Sequence, residues 1–248
     1  MSTSQEHITP KKRTLVPWIT AILMVVGVSV IAAIYWNKLV RVNEIEVRGT
    51  FFTTPEEVIE MAAIPMGVKP DSLDLETVVN RIESLDYVKS VIPYIEPNGD
   101  LDLKISERWP IALLVNGPDE IYVDRDGVRL PILPGKIRDL PLVYGFSAIQ
   151  HSDTLKGKKF EQIRDFLLAA KANKFGWSTI SEVAFTKEEG VVALSHENGV
   201  KMIFGYNDFP IKLQNWEVFY GEVIATKGIQ KMQQVDLRFT NQIVTREQ

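Results

Sequence analysis

The sequence predicts an α+β protein held by a single transmembrane helix. A β-α-α-β-β unit follows the helix, and then comes a mixed, mostly antiparallel β region with two helices. Three observations predict this. An uncharged apolar run lies close to the N-terminus; two capped amphipathic helices stand between alternating strands in the next stretch; and the remainder consists of short apolar runs punctuated by Gly, Pro, Asn and Asp.

The chain has 248 residues, 45% apolar and 24% charged, enough for one or two ordinary cores and too hydrophobic for a disordered protein. A formal charge of −4 offers no basic surplus to neutralise phosphates, so nucleic acid is not an expected partner. The absence of cysteine removes disulfide scaffolds, thiolate metal sites and cysteine nucleophiles, and leaves the redox compartment open.

Val16 to Tyr35 reads VPWITAILMVVGVSVIAAIY, about 20 residues without a charge, which as a helix spans about 30 Å, the thickness of the hydrocarbon core. Trp18 at one end and Tyr35 with Trp36 at the other carry the amphipathic rings favoured at the headgroup layers, and Pro17 sits where a missing N–H is harmless. A buried soluble helix of this length would bring polar residues on one face. A cleaved signal peptide would have a shorter apolar run and small residues where Trp36-Asn37-Lys38 stands. The expectation is an uncleaved anchor. Lys11, Lys12 and Arg13 before it, against Lys38 and Arg41 after it, put the N-terminal tail in the cytoplasm by the positive-inside rule.

In the first unit, VRVNEIEVRG (Val40 to Gly49) suits a half-buried strand. Thr54-Pro55-Glu56-Glu57 is a capping-box helix start, and that helix should run to about Ala63 before Ile64-Pro65. Asp74 caps a second helix with Leu75, Val78, Val79, Ile82 and Leu85 on one face. Val88 to Glu96 and Leu101 to Ile105 form a hairpin about Pro97-Asn98-Gly99-Asp100. This order behind a membrane anchor resembles the polypeptide-transport-associated (POTRA) domain. EIEVRGTFFTTPEEVIEMA, and DLKISERWPIALL with its Glu107-Arg108-Trp109-Pro110, resemble the bacterial division family FtsQ, also called DivIB.

In the second unit, Ile111 to Leu114, Ile121 to Val123 and Val128 to Leu130 read as a strand meander. Asp124, Asp126 and Gly127 suggest calcium, but Pro131 to Pro134 supplies none of the later ligands an EF-hand loop needs, so a turn is expected. YVDRDGV and LPLVYG (Leu140 to Gly145) resemble landmarks of the FtsQ family. Phe160, Ile163, Phe166, Leu167 and Ala170 form a helical face after Lys156-Gly157-Lys158-Lys159, read as solvated rather than as a lipid or phosphate site. Strands are expected at Ile180 to Phe185, Val191 to Ser195 and Val200 to Phe204. A last helix should start at Asn207 or Asp208 and end near Gly228. The segment Gln233 to Thr245 follows, in which VDLRF (Val235 to Phe239) resembles the end of the FtsQ β domain. The expected organisation is a cytoplasmic tail 1–14, membrane helix 15–36, POTRA-like domain 38–108 and FtsQ-type β domain 109–246.

No chemistry emerges from the pattern. His7, His151 and His196 lack metal-ligand spacing; there is no nucleophile elbow, phosphate loop or serine-lysine arrangement; and Glu188-Glu189 sits in turn-like text. The expectation is no enzyme and no cofactor. An unclosed β domain instead offers an edge for strand addition. The resemblance implies that the C-terminal strand receives the bitopic protein FtsB, with FtsL in the same complex, at the division septum. Carried over by position, the partner face comprises Arg238, Phe239, Asn241, Gln242 and Val244. Alternation puts Val235 and Leu237 in the core and Asp236 and Arg238 outside, with the Arg238 guanidinium on an edge strand offered to an incoming carboxylate. The rival functions are a POTRA-type chaperone or transport subunit, which usually repeats the domain or attaches it to a barrel, and a regulator of an envelope hydrolase, which would need a convergent acid pair.

Overall fold

The computed structural model describes residues 16–149, 154–240 and 242–247. The basic residues of the tail, His7, His151 and Asn241, and the side chain of Trp36, lie outside the described residues. Helix α1 runs from Val16 to Leu39, and Trp18 to Tyr35 is long and apolar enough to cross a membrane, with none of it buried against the chain. A core helix of a soluble protein would be covered.

In the first unit, β1 (Ile45–Arg48), α2 (Pro55–Ala62), α3 (Leu75–Ile82), β2 (Val88–Ile95) and β3 (Leu101–Glu107) follow in the expected order. The start of α2 is a reciprocal capping box: Glu57 N donates to Thr54 Oγ1 at 3.2 Å and Thr54 N donates to the Glu57 carboxylate at 2.8 Å. The helix stops where Ala63 turns left-handed. Asp74 caps α3 by accepting from Thr77 N at 3.1 Å and Thr77 Oγ1 at 2.6 Å. The sheet order is β1-β3-β2, with β1 parallel and β2 antiparallel to β3, and Val58, Ala62, Val78, Ile82, Leu101 and Leu103 fill its core. The first strand is shorter than expected, because Val42 bonds elsewhere. Its N–H donates to Val68 O and its carbonyl accepts from Gly67 N, so the strand begins only at Ile45, with Glu44 O accepting from Leu101 N at the start of β3.

The second unit is built on one nine-stranded sheet with the order β12-β11-β10-β9-β8-β7-β4-β5-β6. Its strands are β4 (Pro110–Asn116), β5 (Asp119–Asp124), β6 (Arg129–Leu130), β7 (Leu142–Tyr144), β8 (Ile180–Thr186), β9 (Gly190–Ser195), β10 (Lys201–Gly205), β11 (Met232–Asp236) and β12 (Val244–Glu247). The neighbours are antiparallel except for β4–β7, β7–β8 and β10–β11. Helices α4 (Lys158–Ala172) and α6 (Phe209–Phe219) pack together over the core, where Phe166, Leu167, Phe204, Leu213 and Trp216 are wholly buried. A short α5 (Lys174–Thr179), capped by the Asn173 side-chain Oδ1 accepting from Gly176 N, adds a turn the apolar spacing did not indicate. After α6 the chain widens into a π turn, Tyr220–Ile224, and a last turn of helix, α7 (Ala225–Lys227).

Several local expectations change. Asp208 precedes α6 in the left-handed region and does not cap it. Lys212 reaches back instead, donating to Phe204 O at 2.8 Å and Asn207 O at 2.7 Å. Lys159 is not simply solvated, since its ammonium donates to Gly145 O and lies 4.5 Å from the Phe146 ring centre. The acidic turn after β5 is closed by the protein itself. Asp124 accepts from the N–H groups of Asp126 and Val128 and pairs with Arg108 at 2.9 Å.

Both units meet at a dense junction. Phe52 stacks on Tyr87 at 4.3 Å, and the two share a buried cluster with Tyr122 and Leu130. Within the first unit the buried Glu107 carboxylate holds the segment that carries Phe52, accepting from the N–H groups of Phe51, Phe52 and Thr53 and from Thr53 Oγ1. Lys136 donates to Phe52 O, and Tyr87 OH donates to Pro131 O.

Candidate partner-binding edge

Strand β11 lies between β10 and β12, and its geometry sets the direction of every later group. Leu237 N donates to Ile203 O of β10. Alternation of the backbone then turns Asp236 toward β12, where it faces Val244 as a hydrogen-bonded pair. Thr245, the next residue, therefore points its N–H and C=O away from β11, toward the open side. Strand β12 is the last in the sheet.

The side chains at the end of β11 correct the simple alternation. Val235 and Leu237 are buried as expected, but so is Asp236. Arg238 lies beyond the strand and folds back on Asp236, donating from its backbone N at 3.1 Å, from Nε at 2.9 Å and from Nη2 at 2.6 Å. Its guanidinium is thus engaged within the chain rather than offered from an edge strand. Burial pushes the Asp236 carboxyl up, but these hydrogen bonds and the nearby guanidinium charge hold it below the usual carboxylate range. Gly205, at φ +77°, passes beneath Arg238, where an added Cβ would stand 3.1 Å from Arg238 Cγ. Lys212 completes the support; burial lowers its ammonium pKa, with Asp208 and Asp236 opposing that shift.

Beyond this buried base the surface becomes apolar and open. Phe239 is 45% exposed and Val244 44% exposed, with Gln242 exposed between them. Beside them runs a groove of about 510 Å³, lined by Asn215, Val218 and Phe219 of α6, Glu222 and Val223 of the π turn, and Thr240, Gln242 and Ile243. Sequence reasoning did not name the helical wall of this groove. A signal was present: Ile211 and Val218 are apolar off the face that Leu213 and Trp216 bury, and both are exposed. Among the described strands the other sheet edges are β1, β2 and β6. β1 is four residues long with a Glu46–Arg48 ion pair, β2 carries Pro93, and β6 is two buried residues. Trp18 and Tyr35 lie at the two ends of the apolar span and are 72% and 66% exposed. No group of three or more His, Cys, Asp or Glu placed to hold a metal ion occurs among the described residues.

Comparison with known families decides the lineage. The model of the FtsQ-type POTRA domain matches residues 40–108, and the model described as FtsQ/DivIB, C-terminal related, matches residues 109–246, over half of the chain. The chain belongs to the FtsQ/DivIB family. Cell division protein FtsQ of Rhodothermus marinus is 28% identical over 97% of this chain and 91% of its own length. The Salinibacter ruber protein of the same name is 24% identical over 90% of each chain, and that of Streptomyces coelicolor is 30% identical over 53% of this chain and 50% of its own. The solved major extracytoplasmic domain of the cell division protein DivIB from Geobacillus stearothermophilus superposes with a TM-score of 0.33 at 18% identity, over 49% of this chain and 98% of its own. As an FtsQ/DivIB member the chain is a cell division protein of a non-enzymatic family, with one apolar N-terminal helix of membrane-spanning length and a POTRA unit ahead of its β region.

Proposed function

We propose that this FtsQ/DivIB protein is a scaffold of the division machinery that receives an extended segment of the bitopic protein FtsB along β12, with FtsL held in the same complex. It thereby coordinates septal peptidoglycan synthesis without catalysing a reaction. The observation that carries this reading is the outward-facing backbone of Thr245 on β12, beyond which no described strand pairs, flanked by Phe239, Val244 and the groove against α6. Main-chain pairing supplies about 0.5–1.5 kcal/mol per hydrogen bond, so a strand as short as β12 needs side-chain anchors as well, and the groove offers a place for them. In this reading the N-terminal tail is cytoplasmic and both units lie outside the cytoplasm, an orientation supported by Lys11, Lys12 and Arg13 against Lys38 and Arg41.

The test is binding of the FtsB extracytoplasmic segment to the full chain carrying Phe239→Ala or Val218→Asp. Both are exposed positions where folding should be spared, and both should weaken binding. Unchanged affinity in both variants, with folding intact, would remove the surface. Arg238→Glu belongs in the same series but is read together with urea unfolding, because Arg238 also holds Asp236. In cells, depletion should give filaments and a fluorescent fusion should gather at midcell.

A further inference from the structure

The connection after α2 has an unusual composition. Residues 63–68 read Ala-Ile-Pro-Met-Gly-Val, without a polar side chain, although Ala63, Pro65, Met66 and Gly67 are exposed and Met66 is 57% exposed. Ile64 and Val68 are half-buried against the unit's own core, but Pro65 and Met66 between them are exposed on a connection that faces water, where polar residues are usual, and exposed apolar side chains there mark a contact surface.

Its position says what it contacts. Helix α1 ends at Leu39, and Val42 is bonded to this loop on both sides: Val42 N donates to Val68 O at 2.9 Å and Gly67 N donates to Val42 O at 2.8 Å. Three extended residues reach at most about 11 Å, so the loop is tied close to the end of the helix. The β2–β3 turn grips the same segment from another side. Gly99, at φ +98°, lies against it so closely that a Cβ there would stand 2.4 Å from Arg41 O. The apolar span ends at Tyr35, and Leu39 lies about 6 Å further along the helix, within the headgroup layer.

We infer that the 63–68 loop is a second membrane contact, with Met66 inserted at the boundary between headgroups and acyl chains, Pro65 beside it and Ile64 anchoring the loop to the core. The inference rests on α1 being the membrane anchor and is independent of the partner edge. Exposed Glu60 precedes the loop and exposed Lys69 and Asp71 follow it, a mixed set of charges, so the contact is carried by apolar area rather than by attraction to anionic lipid. Its consequence is orientational: a helix alone lets the first unit swivel about one point, whereas helix plus loop fix which way its sheet faces.

The chain contains no cysteine, so Met66→Cys creates a unique labelling site. The full chain, labelled there with an environment-sensitive fluorophore, would be placed in phosphatidylethanolamine–phosphatidylglycerol vesicles carrying nitroxide lipids. Tyr35→Cys reports the span, and Ile137→Cys, at a position 73% exposed on the second unit, reports water. The expected result is a blue-shifted probe at position 66, quenched by nitroxide lipid several-fold more than the probe at 137 and approaching that at 35. A probe at 66 behaving like the one at 137, while 35 remains quenched, would overturn the loop contact. A probe at 35 that escapes quenching would overturn the anchor and the loop contact with it, so the two failures are distinguishable. Disulfide-linked dimers of Met66→Cys in place of lipid quenching would assign the loop to a second copy and also overturn the inference.

Discussion

The nine-stranded sheet is finished differently at its two ends. At the β6 end the first unit closes it. Phe52 and Tyr87 pack on Tyr122 and Leu130, Lys136 binds Phe52 O, and Glu107 takes up three consecutive N–H groups of the 51–53 segment. At the β12 end the ordering stops one strand short of closure: Asp236, Arg238 and Lys212 form a satisfied polar base, while Thr245, Phe239 and Val244 face outward. One end spends its polar groups within the chain: Glu107 fixes the 51–53 segment inside the first unit, and Lys136, Tyr87 and Arg108 bond from one unit to the other; the other leaves backbone groups and apolar side chains for another chain. What separates a structural end from a receiving end is thus where the hydrogen bonds go, since both ends are rich in aromatic or apolar side chains.

The largest expected effect is at the closed end. Glu107→Ala strands three N–H groups at a buried junction and should lower stability by about 3 kcal/mol or more, read as a shift of the urea midpoint of the full chain in detergent. A change under about 1 kcal/mol would mean that the 51–53 segment is not fastened by this carboxylate. At the open end, Thr245→Pro removes an outward donor but no bond to β11. It should cost about 1 kcal/mol of partner affinity and leave the urea midpoint in place, and a loss of stability instead would mean that the assigned direction of Thr245 is wrong.

A smaller effect concerns acid. Asp236 titrates below its unfolded value, so its contribution is present above about pH 4 and is lost as pH falls through the folded value. Asp236→Asn should therefore flatten the acid side of the stability profile, and urea midpoints at pH 7 and pH 3 that fall as steeply as in the parent chain would refute the role. The smallest effect is expected for Lys89→Ala. This removes the ion pair that bridges the units at 2.7 Å; both partners are over 40% exposed, so the change should stay within about 0.5 kcal/mol.

The parts legible in the sequence are those whose partners lie nearby in the chain. The Thr54–Glu57 capping box, the Asp74 cap and the hairpin about Asn98-Gly99 are decided within a few residues, and the apolar run of α1 by its composition alone. The fastening of the 51–53 segment that carries Phe52 to the junction was not legible, because Glu107 meets Phe51 to Thr53 only after α2, α3 and two strands have folded between them. At the partner edge, period-two alternation correctly buried Val235 and Leu237. It failed at Asp236, because Arg238 leaves the strand and folds back over it, which no spacing rule encodes. The groove was missed for a related reason: its wall includes the π turn Tyr220–Ile224, where one extra residue per turn displaces the face that a 3.6-residue period would mark.

The most direct test of strand addition at β12 is amide hydrogen exchange of the full chain with and without the FtsB extracytoplasmic segment. In the free chain the Thr245 amide should exchange faster than those of Val244 and Arg246, which face β11. On binding, Thr245 should slow markedly while its two neighbours change little. Saturating partner that leaves Thr245 as fast as before, with protection appearing only elsewhere, would contradict the account.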